Sequence, residues 1–229
     1  MNPEVKNVHA PAGAPDFDPD MPEYSVDSGE WAAMAADIES EHNDRIAVNI
    51  GPVHPSTHGV LRVVAELDGE TVKDVRLGTG YLHTGIEKSM EFRTYNQGVA
   101  YCSRMDYVAP FFQEVAWVLA VEKALGITDQ IPTRASEIRV LLMELNRIAS
   151  HLVAIGTGAN ELGATTMLTT AFRAREEILR IFEHITGLRM NNSYMRVGGV
   201  ANDIPDDTVA MIREKLPLIK RDMEEMVDL

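Results

Sequence analysis

Behind Pro132 and Thr133, the aliphatic residues Ile138, Leu141, Leu142, Leu145, Ile148, Leu152 and Ile155 recur at helical intervals. That spacing predicts one long helix with an unbroken apolar stripe, and a stripe of that length must be covered by something. The same stretch of chain offers covers. Phe111 to Leu125, closed by Gly126, is apolar on nearly every face, as a buried helix is. Thr169 to Thr186, ended by Gly187, reads as a third helix. Pro205 to Leu229 reads as a fourth, with Pro in its first turn and a kink at Pro217. Helices of this kind bury one another, so residues 85–229 are expected to form a helical bundle.

Ahead of the bundle the period changes to two. Ile46, Val48 and Ile50 alternate, Val60 to Leu67 forms a second run, Asp68-Gly69 is a hairpin signal, and Val72, Val75 and Leu77 continue a third strand. Residues 45–84 therefore read as a small antiparallel β domain, and the whole as α+β. Residues 1–44 differ from both. They hold eleven acidic side chains and one basic one, Lys6, and so carry −10 of the chain's formal −14. Residues 1–30 have too few large apolar groups to offset the entropy of ordering and read as a disordered arm. Trp31 to Glu41 can form a short helix that docks through Trp31, Met34 and Ile38, although a solvated acidic arm is the preferred reading.

Several function classes drop out. The formal charge of −14 would argue against nucleic acid, but its distribution matters more than its sum, since the acidity belongs to the tail. No nucleic acid is expected as a partner, and 45% hydrophobic with 24% charged residues is ordinary for a soluble globular protein. A single cysteine, Cys102, excludes an internal disulfide and a multi-cysteine metal cage. No apolar run approaches the ~18 residues of a membrane span; Val115 to Val121 is the longest clear one. No basic region followed by an apolar stretch marks a secretory signal, so a reduced, cytoplasmic setting is expected.

Two segments concentrate polar chemistry beside Gly and Pro: Gly51-Pro52-Val53-His54-Pro55-Ser56-Thr57-His58-Gly59 and Tyr101-Cys102-Ser103-Arg104-Met105-Asp106-Tyr107. They read as two walls of one site, the plainer alternative being a turn and a helix start. His54 and His58 have metal-ligand spacing for a helix, but Pro52 and Pro55 oppose a helix there, and no metal is assigned. His9, His42, His151 and His184 read as solvated or core residues. With Gly80-Tyr81-Leu82-His83-Thr84-Gly85-Ile86-Glu87-Lys88 and Arg196-Val197-Gly198-Gly199-Val200, the two segments carry a resemblance. From about Arg45 to about Pro205 the chain resembles the N-terminal part of the D subunit of the proton-pumping NADH:quinone oxidoreductase, counterpart of the 49 kDa subunit of respiratory complex I.

The resemblance implies a quinone-reduction site. A quinone needs donors on the carbonyl oxygens, where negative charge develops, and nearby protons, since the product is a dihydroxy ring. His58 and Tyr107 match the residues that bind the quinone headgroup in the family, and imidazole and phenol suit that work. Met105 would join them. Asp106 and Arg104 would bias Tyr107 electrostatically. Glu161, in Asn160-Glu161-Leu162-Gly163-Ala164, stands where the family usually has Asp. The resemblance also implies the fold of the nickel-iron hydrogenase large subunit. Asp106 and Ala109 occupy the places of its nickel-binding cysteines, so no metal is expected on this chain. Too few cysteines are present for an iron-sulfur cluster, so the terminal cluster is expected in a B-like iron-sulfur protein as partner. Further expected partners are a C-like protein and a membrane protein that forms the quinone access path. The location implied is peripheral, on the cytoplasmic side of the cell membrane. Asn191 follows Arg189-Met190 where many relatives carry histidine, which hints at menaquinone rather than ubiquinone and at a lower-potential cluster. Met90, Met105, Met143 and Met167 could line a prenyl chamber, although core filling explains most methionines equally well. Family chains are longer, so the sequence reads as a fragment whose isolated form is inactive. Competing readings are a non-catalytic scaffold fragment, and a related ion-pumping dehydrogenase or hydrogenase-type complex.

Overall fold

The computed structural model describes residues 45–53 and 57–228. The acidic arm, the Trp31 to Glu41 segment and His54 lie outside the described residues. The chain divides into two units, Met1–Thr84 and Gly85–Leu229.

In the first unit, strands β1 (Arg45–Ile50), β2 (Arg62–Asp68) and β3 (Thr71–Gly78) form an antiparallel sheet in chain order. The second strand starts at Arg62 rather than Val60, because the Val60 N–H is taken by the Thr57 carbonyl in the preceding turn. The β2–β3 connection turns at Gly69, which adopts φ 61°. Register places Ile46 opposite Leu67, Val48 opposite Ala65 and Ile50 opposite Val63, with Leu77 and Val75 following on β3. One face of the sheet is therefore apolar, and Ile46, Ile50, Val72, Val75 and Leu77 on it are exposed.

The second unit is helical. Short helices α1 (Ile86–Met90) and α2 (Tyr95–Cys102) precede α3 (Pro110–Leu125), α4 (Thr133–Glu161), α5 (Thr165–Thr186) and α6 (Thr208–Val227). Thr94 and Gln97 form a capping box that starts α2. Helix α5 begins four residues earlier than expected, and α6 three residues later, since the Thr208 N–H closes a turn onto the Pro205 carbonyl. A two-residue hairpin, β4 (Met195–Arg196) with β5 (Gly199–Val200), is an addition to the expected plan. The molecule is α+β, with a small antiparallel sheet and a set of helices.

Phe111, Leu142, Leu152, Ile178, Ile181, Phe182 and Met195 are fully buried at the centre of the helical unit. The rings of Phe111 and Phe182 meet edge to face at 5.0 Å. Helices α4 and α5 approach closely at Gly156, where an added Cβ would stand 2.9 Å from that of Ala171. Helix α5 is clamped to α6 by the buried Asp222, which accepts from both Arg173 and Arg221. Met143, Met167, Met190 and Met211 pack against this core, which favours the core reading for those side chains. Among the described residues no helix is long and apolar enough to cross a membrane.

Candidate functional site

The turn between α2 and α3 carries Arg104, Met105, Asp106 and Tyr107. Helix α2 runs out through Ser103, Arg104 and Met105, whose N–H groups close back on Val99, Tyr101 and Cys102. The Asp106 carboxylate then accepts from the N–H groups of Val108 at 3.2 Å and Ala109 at 3.3 Å. This Asx-type turn sets the direction in which α3 begins. Asn146 of α4, fully buried, grips the same junction: its Nδ2 donates to the Val108 carbonyl and its Oδ1 accepts from the Phe111 N–H, both at 3.1 Å. The Phe111 N–H is one of the donors that a helix start leaves without an internal partner, so Asn146 acts as a cap supplied by another helix. Arg104 folds back on its own helix, donating to the Ala100 carbonyl at 2.6 Å and to Ser103 Oγ at 3.3 Å. Between these fixed points Tyr107 and Met105 project, 53% and 50% exposed. The turn thus presents a phenol and a thioether from a backbone anchored on both sides.

His58 belongs to the first unit, in the turn between β1 and β2. Thr57 is buried; its N–H donates to the Val53 carbonyl at 3.0 Å and its Oγ1 accepts from the Val53 N–H at 3.2 Å. Gly51 makes that wrap possible, because a Cβ there would stand 2.2 Å from Thr57 Oγ1. His58 follows in the left-handed region at φ 55° and is exposed. Glu161 is the last residue of α4, exposed, ahead of a turn in which Gly163 takes φ 99°.

Asn191 lies between α5 and β4, at φ 52°, and Ser193 takes φ 48°. This loop is held by groups that sequence reasoning missed. Glu114 of α3, with no exposed surface, accepts from the backbone N–H groups of Ser193 (2.7 Å), Tyr194 (2.9 Å) and Met195 (3.0 Å). Burial pushes its carboxyl above the usual range, outweighing the help of those three donors and of the Arg196 charge. Glu122, eight residues on, accepts from Arg139 at 2.6 Å and 3.1 Å and from the Gly198 N–H at 2.9 Å. Arg139 also donates to the carbonyls of Gly199 and Arg196. Burial alone would raise Glu122, but the Arg139 guanidinium and the Gly198 N–H hold it below the usual carboxylate range. A sequence signal existed: Glu114, Glu122, Arg139 and Asn146 fall on positions of α3 and α4 otherwise filled by buried apolar side chains.

Cys102 is buried, and burial together with Glu114 pushes its thiol up, away from the thiolate that reacts or binds metal. Among the described residues no group of three or more His, Cys, Asp or Glu side chains is placed to hold a metal ion.

The family model for the respiratory-chain NADH dehydrogenase 49 Kd subunit matches residues 161–229, which include Glu161, Asn191 and Arg196. The NADH-quinone oxidoreductase D subunit of Acidothermus cellulolyticus is 57% identical over 213 residues, 93% of this chain and 48% of that protein. The D subunit numbered 1 in Streptomyces avermitilis is 56% identical over 88% of this chain and 46% of its own length, and the D subunit of Nocardia farcinica 56% over 89% and 46%. The chain spans about half the length of the curated relatives it matches. With such identity over most of its residues, it belongs to the family of NADH-quinone oxidoreductase D subunits, the 49 kDa subunit of the respiratory-chain NADH dehydrogenase.

Proposed function

We propose that this chain supplies one side of the quinone-reduction site of a proton-translocating NADH:quinone oxidoreductase, next to a B-like iron-sulfur protein that carries the terminal cluster. The observation that carries the reading is the α2–α3 turn, in which Asp106 and Asn146 fix the backbone while Tyr107 and Met105 stay open. A donor that must meet developing charge works best when its position costs nothing at the moment of reaction, and an anchored turn meets that condition.

Reduction of a quinone to the quinol takes two electrons and two protons. The electrons come from the partner; the protons must pass through groups on this side. Tyr107 hydrogen-bonds one carbonyl oxygen of the headgroup through its hydroxyl and His58 hydrogen-bonds the other; each passes one proton to its oxygen as the two electrons arrive, and Tyr107 takes its replacement proton from solvent. Met105 lies against the ring, and its unbranched thioether adapts to a flat apolar surface. Glu161 couples to the histidine, its carboxyl group relaying a proton from solvent back to the imidazole, with a longer reach than the usual Asp. Asp106 and Arg104 act indirectly, by shaping and biasing the turn that bears Tyr107. Asn191 faces the partner's cluster, and its amide takes up no proton, which fits menaquinone. The fold is that of the nickel-iron hydrogenase large subunit. C-like and membrane partners complete the assembly, which places the chain peripherally on the cytoplasmic side of the cell membrane.

The test is a paired assay in the assembled complex, comparing quinone reduction with reduction of an artificial acceptor upstream. His58→Ala is expected to lower quinone reduction by about 100- to 1000-fold, the effect of removing one donor at a developing oxyanion. Tyr107→Phe is expected chiefly to raise the quinone KM. Both should keep normal artificial-acceptor rates. Normal quinone reduction in both variants would remove these residues from the site and leave the scaffold reading.

A further inference from the structure

We propose that Glu114 is a positioning residue whose buried carboxylate fixes the Asn191 to Arg196 loop in the shape it presents to a neighbouring protein of the complex. Three successive backbone N–H groups, those of Ser193, Tyr194 and Met195, converge on its two oxygens. Convergence of consecutive N–H groups requires alternation of backbone conformation, and Ser193 at φ 48° supplies the left-handed member. Such a concavity ordinarily takes a free anion. Here the anion is a side chain of α3, some 80 residues away in sequence, so the loop is shaped by a distant element. The second carboxylate of α3, Glu122, differs because Arg139 sits directly on it. Among the described residues, the donors in hydrogen-bond contact with Glu114 are backbone groups, with Arg196 nearby as a charge. Arg196 is itself part of the loop, donating to the carbonyls of Ser193 and Met195.

The loop holds its polar groups in an unfinished state. Asn191 Oδ1 and Asn192 Oδ1 are buried and accept no hydrogen bond from the described residues. Asn191 sits at φ 52°, a left-handed conformation that asparagine adopts more readily than most residues. Glu114 holds the backbone that bears both of these amides. This inference rests on the reading that the Asn191 loop faces the iron-sulfur partner. Neutralising Glu114 should therefore alter the surroundings of a cluster that it never touches.

The experiment uses the assembled complex with Glu114→Gln, Glu114→Asp and Asn191→His, each examined by hydrogen exchange and by redox titration of the partner's cluster followed by electron paramagnetic resonance. In Glu114→Gln, which puts an amide where three donors need an anion, exchange in peptides covering residues 191–197 is expected to rise about tenfold, with residues 138–152 unchanged. The cluster's midpoint potential is expected to shift with it, and Glu114→Asp to show part of both effects. If Glu114→Gln does not assemble, Glu114→Asp carries the same readouts, since it keeps the charge one methylene short. Unchanged exchange at 191–197, or an equal rise in both regions, overturns the proposal. A local rise with an unmoved potential, while Asn191→His moves it, also overturns the proposal but leaves the facing loop in place. If the potential responds to neither variant, the loop does not face the cluster and the proposal falls with that reading.

Discussion

Glu122 and Arg139 are both buried, and a pair taken out of water contributes only when every remaining proton and lone pair is used. Here most are: the guanidinium also reaches the Gly199 and Arg196 carbonyls, and the carboxylate also takes the Gly198 N–H. Glu122→Gln leaves a buried guanidinium short of its anion and should cost about 3–5 kcal/mol by denaturant unfolding, whereas Glu122→Met with Arg139→Met should cost clearly less. The acid side of the stability profile follows from the signs. Glu122 has a folded pKa below its unfolded one, so its contribution is present above about pH 4.3 and is lost as pH falls through the lower value. Glu114 is raised by burial, so the folded state binds the extra proton and stability falls as pH rises from about 4.3 through the folded value. Removing Glu122 should therefore flatten the acid limb, and Glu114→Gln should steepen it, in melting temperatures taken from about pH 3 upward. His58, Tyr107 and Glu161 are legible as candidates because each stands in a short motif. Glu114, Glu122, Arg139 and Asn146 show in the sequence only as polar groups among apolar ones, and a charge or amide on a helical stripe declares its role only when its distant partner is seen.

At the scale of elements, α4 announces itself through the period of Ile138 to Ile155, and β1 to β3 through alternation about Asp68-Gly69. The start of α5 is hidden because Thr165 and Thr166 are weak helix formers and both are exposed; Met167 is the first residue of the helix that packs against the core. The β4–β5 hairpin is invisible in the sequence: two residues per strand give no period, and its anchors come from α3 and α4. The α4–α5 contact turns on glycine for a local reason. Gly156 is buried against Ala171, with no room for a Cβ, while Gly158 is exposed, helical and open. Gly156→Ala should separate the two helices and destabilise by about 1–3 kcal/mol, as overpacking does. Gly158→Ala, two residues on, should instead stabilise by about 0.5–1 kcal/mol through helix propensity alone. Paired thermal melts check both signs, and stabilisation by Gly156→Ala would mean that the helices pack less closely at that crossing.

Charge is divided unevenly over the whole molecule. The first 44 residues carry −10 of the formal −14, and the remaining 185 residues are close to balance. The two groups of residues face different demands. From Arg45 onward the chain builds sheet and helices, and two of its ion pairs with a buried carboxylate, Asp222 with Arg173 and Glu122 with Arg139, join element to element. Residues 1–30 carry seven acidic side chains, one lysine and few large apolar ones, and the expectation from that composition is an arm that does not offset the entropy of ordering by itself. At physiological salt, exposed charges act over only ~8 Å, so the segment's field falls off steeply beyond its own length of chain. Deleting residues 1–30 changes the formal charge from −14 to −8. It should leave assembly of the complex and its quinone turnover nearly unchanged, measured by yield of purified complex and by steady-state rate at about 0.15 M salt. Loss of the assembled complex on that deletion would identify the arm as a tether that orders against a neighbouring protein, where burial supplied by the partner offsets a cost that this chain alone cannot meet.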